Sequence, residues 1–146
     1  MEFDETLDIS DLIKCADNFY KTMQMAQDIE SGHTIIDDDS DFLHTFARSA
    51  AIQVFEITVE SAWKMMQRWV KINADNKIHE KPKRELFRTA HQSGLIDDPV
   101  VWWTFFDGRN KTSHTYHEET AEEVYALAKT FGAYLQDFTE RLQARV

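Results

Sequence analysis

Neither glycine nor proline occurs between Asp41 and Asn73. A single unbroken helix over 41–73 reaches on the order of 50 Å at 1.5 Å per residue. Its apolar residues fall in two stripes. Leu43, Ala47, Ala50, Val54 and Ile57 make one, and Ile52, Phe55, Val59, Ala62, Met66 and Trp69 make the other. A bundle helix normally buries one stripe, so two predict a second packing partner, most simply another copy of the chain.

The remaining elements read as helices too. Over 8–31, Ile9, Leu12, Ala16, Phe19, Met23 and Ala26 recur at alternating spacings of three and four, with Asp8 or Ser10 as cap and Gly32 at the left-handed stop. Cys15 lies beside that stripe and reads as a small core residue. The acidic stretch Asp37 to Asp41 lacks the glycine and glutamate of a calcium loop and reads as an N-cap region for the long helix. Pro82 suits a first helical position, and the short helix it opens stops at Gly94. Asp98-Pro99 repeats the start signal before the apolar run Val100 to Phe106. The last helix, 118–145, carries a capping box at Thr120 and Glu123. Its seam is Ala121, Val124, Ala128, Phe131, Leu135, Phe138 and Leu142. The expectation is all-α: one domain over 1–146, an antiparallel up-and-down bundle of four to five helices, dimeric.

Composition narrows the function. One cysteine excludes an internal disulfide framework and a cysteine-based zinc site. The N-terminus has no secretory pattern and no apolar run spans a bilayer, so a cytoplasmic protein without membrane contact is expected. The net charge of −10 argues against indiscriminate nucleic-acid binding. That charge is uneven. Residues 64–88 hold 8 basic and 3 acidic side chains, whereas residues 1–63 hold 3 basic and 14 acidic. Lys77, Lys81, Lys83, Arg84 and Arg88 are candidates for guiding an anionic ligand; a solvated helix end and loop is the plainer account.

The polar stretch Asp107 to His117 follows the most apolar segment directly and gathers Arg109, Asn110, Ser113, His114, Tyr116 and His117. On a continuous helix Arg109 and His114 would stand about 140° apart. Thr112 to Thr115 are weak helix formers, so a break is expected near Ser113 to Tyr116. It either swings His114 back toward the guanidinium or points it toward a partner subunit. Other readings compete. A cation in a last helical turn offsets the dipole, and His114 can cap carbonyls. His114 and His117 have metal-ligand spacing but no third ligand, so no metal is expected. Glu56 and Glu60, one turn apart, lack the accompanying Glu-x-x-His of a carboxylate metal site.

The pattern Arg109-Asn110-x-x-x-His114-x-Tyr116 resembles the signature of the HEPN superfamily, and the tyrosine two residues past the histidine resembles its HepT toxin branch. Ala51-Ile52-Gln53-x-Phe55-Glu56, Lys64-Met65-Met66, Gly94-Leu95-Ile96 and Trp102 are similar to the nucleotidyltransferase substrate-binding protein group within it. The resemblance covers roughly residues 10 to 142. Gly108 departs from it, since members more often place a bulkier residue before the arginine; it marks either a break or a close contact.

The resemblance implies a homodimer with Arg109 and His114 of both copies in an interfacial cleft, cutting RNA, tRNA among the candidates, without metal or other cofactor. It implies a minimal nucleotidyltransferase as antitoxin, transferring AMP onto Tyr116. On that reading His114 relays a proton, Arg109 holds the scissile phosphate and Asn110 orients it. The alternative is a non-catalytic substrate-binding subunit of the nucleotidyltransferase. The complete Arg-Asn-His-Tyr set favours the toxin.

Overall fold

The structure is a computed structural model and describes residues 7–32 and 40–146. Five helices form: α1 (Ser10–Glu30), α2 (Ser40–Asn73), α3 (Lys83–Gln92), α4 (Pro99–Asn110) and α5 (Glu118–Gln143). Single 3-10 turns lie at Ile78–Glu80 and Thr112–His114. No strand occurs among the described residues, and the molecule is the helical bundle that the periodicity predicts.

Most boundaries follow from local chemistry. The Asp8 carboxylate accepts the Ser10 N–H at 2.9 Å, at the start of α1. Gly32, with φ of +72°, turns the chain out of that helix. Asp98 caps α4 by accepting from the Val100 and Val101 N–H groups at 2.9 and 3.3 Å, with Pro99 at the first helical position. Pro82 sits one position earlier than expected, as the extended residue ahead of α3, and its carbonyl accepts the Glu85 N–H. Gly94, at φ +78°, follows α3. Asp37, Asp38 and Asp39 lie outside the described residues; Asp41 does occupy the first turn of α2.

The capping box does not form. Helix α5 begins at Glu118, so Thr120 already lies inside its first turn, and no side chain caps the start. A long-range contact holds that end instead. Arg48, on α2 and almost fully buried, donates to Glu118 at 2.6 and 3.2 Å and to Glu122 at 2.7 Å.

Helix α2 packs against all four other helices. This corrects the expectation that its second stripe is left for another chain. Ala47 and Val54 of one stripe and all six residues of the other are buried within this chain. Of the predicted positions only Ile57 is well exposed, and the outward apolar surface of α2 is formed by Phe42, Phe46 and Ile57. The α5 seam is buried throughout. At its middle Phe131 stands edge-on to Phe19, Phe55, Trp102 and Phe105, with ring centroids 5.0 to 5.6 Å apart. Cys15 is partly buried.

Candidate functional site

Helix α4 carries the core on one face and the site at its end. Trp102, Phe105 and Gly108 point inward at spacings of three. Gly108 marks a close contact and not a break. A Cβ there would press into Leu127 Cδ1 of α5 and touch Phe55 Cζ at 3.9 Å. The absence of a side chain lets the end of α4 lie against α5, which fixes the backbone from which Arg109 projects.

Arg109 reaches across to α2. Its Nε stands 3.0 Å from Glu60 Oε2 and an Nη 3.8 Å from Glu56 Oε1. The Nε–H is buried and not aimed at an acceptor, so the contact is one of charge, and donor capacity is left unspent. Glu60 is held by more than Arg109. Its Oε2 accepts from Trp63 Nε1 at 3.2 Å, and its Oε1 meets Lys64 Nζ at 2.9 Å. Partial burial pushes the Glu60 carboxyl upward, but the Lys64 and Trp63 hydrogen bonds and the Arg109 charge outweigh it. The net effect holds the group below the usual glutamate value.

The break falls slightly earlier than the sequence predicts. Helix α4 ends at Asn110, and threonine side chains build the turn that follows. Thr112 Oγ1 donates to the Arg109 carbonyl at 2.8 Å and Thr115 Oγ1 to the Thr112 carbonyl at 2.9 Å. Buried Thr112 anchors the turn, while Ser113, His114, Tyr116 and His117 face solvent. Tyr116 is 76% exposed. Its ring lies 4.2 Å from that of His117 and 6.3 Å from that of His114, centroid to centroid. No hydrogen bond or ion pair joins Arg109 to His114, so the turn directs the histidine outward. Asn110 is exposed at the helix end. A cavity of about 180 Å³, lined in part by Arg48, Gln53, Glu56, Thr112 and Thr115, opens between α2 and the turn.

The five basic candidates separate. Lys81 is paired with Asp75 at 2.6 Å, and that partner raises its pKa above the ordinary lysine value. Lys77 is exposed beside the same turn. Lys83 Nζ sits 4.5 Å over the Trp63 ring and the Arg84 guanidinium 4.4 Å over the Trp103 ring. Arg88 pairs with Glu85 at 2.7 Å. Among the described residues no group of three or more His, Cys, Asp or Glu side chains is placed to hold a metal ion. No described helix is long and apolar enough to cross a membrane.

Sequence reasoning missed the roles of Glu56 and Glu60 at this site. Their one-turn spacing was visible, but nothing local names an arginine some fifty positions away as their partner. Arg48 was missed for the same reason.

The family described as "Nucleotidyltransferase substrate binding protein like" matches residues 7–144. A protein of Haemophilus influenzae named "Probable ribonuclease HepT" is 38% identical over 100 residues, covering 66% of this chain and 68% of the relative. A solved structure from the same species, described as revealing the fold of a substrate binding domain of a nucleotidyltransferase, superposes with a TM-score of 0.78. It is 30% identical, over 90% of this chain and 98% of that one. A Thermus thermophilus protein of known structure shares the fold at 23% identity and a TM-score of 0.60, over 85% of this chain and 98% of that one. With the family matched from end to end of its bundle, the chain belongs to the nucleotidyltransferase substrate-binding, HepT-like family.

Proposed function

We propose that this protein is a metal-independent endoribonuclease, the toxin of a pair whose antitoxin is a minimal nucleotidyltransferase. The observation that carries the reading is the outward turn after α4. Buried Thr112 pins a segment whose other polar side chains, His114 and Tyr116 among them, serve no packing purpose and stand free in solvent. Beside it Arg109 holds a guanidinium with an unsatisfied buried Nε–H.

The chemistry follows from these groups. His114 accepts the proton of a ribose 2′-hydroxyl, whose oxygen attacks the adjacent phosphorus while the 5′-oxygen leaves and takes up a proton. Arg109 exchanges Glu56 and Glu60 for the phosphate and stabilises its developing charge. Asn110, at the mouth of the turn, orients the phosphate. The need for a 2′-hydroxyl selects RNA over DNA. Two copies meeting along the exposed α2 residues Phe46 and Ile57 would place their turns on a shared cleft, since Glu56 and Glu60 adjoin that surface. Transfer of AMP to Tyr116 would set a bulky anion beside His114 and shut the cleft.

Purified protein incubated with tRNA, alongside Arg109→Ala and His114→Ala, tests the activity. Cleavage by the wild type and loss in both variants is expected; equal decay in all three refutes it. Mass spectrometry after co-expression with the nucleotidyltransferase tests Tyr116, which should gain one AMP. The second reading, a non-catalytic substrate-binding subunit, is favoured by the description of the Haemophilus structural relative. It predicts tight association with the nucleotidyltransferase and no RNA decay.

A further inference from the structure

Trp63, Phe106 and Trp103 form a continuous aromatic ridge, with Phe106 centroids 5.9 Å from Trp63 and 5.4 Å from Trp103. The ridge runs where α2, α3 and α4 meet. Cations lie on both tryptophans. Lys83 and Lys64 stand over Trp63 at 4.5 and 5.8 Å, and the Arg84 guanidinium stands 4.4 Å over Trp103. Neither Lys83 nor Arg84 has a carboxylate partner among the described residues, unlike Lys64, Lys81 and Arg88. Beyond Trp103 the strip opens into a cavity of about 150 Å³ lined by Arg84, Arg88, Pro99, Val100 and Trp103, and Val100 is 70% exposed there. At its other end the strip joins the site, because Trp63 Nε1 donates to the Glu60 carboxylate that faces Arg109.

Two features of this strip select its ligand. Unpaired cations in the one net-positive segment of an acidic chain call for a polyanion. Flat rings and a guanidinium plane already seated on one of them call for flat groups to stack on. A folded protein partner would supply carboxylates but no regular series of rings. A single-stranded nucleic acid supplies both at a regular repeat. We propose that the Trp63–Trp103 ridge, with Lys83 and Arg84, is a platform that binds single-stranded RNA and leads it to Arg109. RNA as the polyanion rests on the ribonuclease reading above; the platform itself rests on the strip. Arg84 presents its free face to a base while Trp103 backs it, and Lys83 and Arg88 meet flanking phosphates.

The test separates binding from cleavage by using a fluorescein-labelled oligouridylate with 2′-O-methyl groups, which has no nucleophile. The wild-type protein should bind it and show quenched tryptophan fluorescence. The surface double variant Lys83→Glu with Arg84→Glu should weaken binding at least tenfold, on the order of one lost stacked base. Its log–log salt slope should fall by about 1.4, at roughly 0.7 per lost phosphate contact. Arg84→Lys, which keeps the charge and loses the plane, should fall between. Trp103→Leu should weaken binding comparably; because Trp103 is partly buried, its fold is checked by its circular dichroism. His114→Ala should bind as the wild type does. Unchanged affinity in the double charge reversal overturns the platform, even where tRNA cleavage persists. Affinity that depends on Lys83 and Arg84, with no tRNA cleavage by the wild type, keeps the platform and sinks the ribonuclease reading. A double variant that loses the nucleotidyltransferase but not the oligonucleotide makes the strip a protein interface and refutes the proposal.

Discussion

Gly108 shows how much one missing side chain decides. Two opposing effects act on Gly108→Ala. Replacing a mid-helix glycine gains about 1 kcal/mol of helix propensity. Pressing a methyl into Leu127 costs roughly 1–3 kcal/mol of overpacking. Leu127 Cδ1 is the far end of a flexible side chain, which holds that cost toward the middle of its range. Gly108→Ala alone should therefore lower stability by about 1 kcal/mol. In a Leu127→Ala background the obstruction is gone, and the same change should raise stability by about 1 kcal/mol. Urea unfolding of the four proteins reads the cycle. The same sign in both backgrounds would show that Leu127 is not what demands the glycine. The sequence marks Gly108 only as a departure from a family pattern, because Leu127 becomes its neighbour through the crossing of α4 and α5. Arg109 and its carboxylates are a parallel case. The helix positions of Glu56 and Glu60 are legible from spacing, but their target depends on where α4 ends.

At the scale of elements, starts and stops were legible wherever the signal is local. The Asp98-Pro99 start and the stops at Gly32 and Gly94 act through their own backbone, and they hold. The α5 start was misjudged because a distant arginine decides it. Arg48 gathers Glu118 and Glu122 from the first turns of α5, so the helix begins two residues before Thr120. Arg48→Ala should lower the Tm by on the order of 3–5 °C, since it removes a buried stem together with its hydrogen bonds. The pH dependence has a definite sign. The Arg48 hydrogen bond, with its charge, lowers the Glu118 carboxyl from its ordinary 4.5. Stabilisation by a depressed carboxylate is fully present above 4.5 and is lost as pH falls through the folded value. The Tm gap between wild type and Arg48→Ala should therefore be widest near neutrality and close below pH 4.5. A gap that stays constant from neutrality into that range would mean that Arg48 acts through packing alone. Because Arg48 clamps α5 to α2 across the turn that bears His114 and Tyr116, its loss should also loosen that turn.

For the whole molecule, charge decides where a second copy could sit. Two chains of −10 repel, so they can meet only where charge is sparse. The first half of α2 is such a place. Between Asp41 and Glu56 the one residue with a formal charge is Arg48, and it points inward to α5. Outward lie Phe46, Ser49, Gln53 and Ile57. Phe46 and Ile57, eleven residues apart, return to within about 20° of the same direction on the helix. The argument for a dimer thus moves from the two stripes, which this chain buries itself, to an uncharged stripe that it leaves in water. Ile57→Asp changes a residue that is 52% exposed, so the fold should survive while the dimer is lost. Sedimentation velocity should find the wild type dimeric and Ile57→Asp monomeric at the same concentration. The two associations should also respond to salt in opposite senses. Screening relieves repulsion between acidic copies, so the dimer should tighten as ionic strength rises, whereas RNA binding should weaken as counterion release loses its drive. RNA cleavage should then pass through a maximum at intermediate salt if it needs both copies. An Ile57→Asp protein that still sediments as a dimer would place the contact on another surface. One that is monomeric yet cuts tRNA at the wild-type rate would show that each Arg109 and His114 act without a partner's.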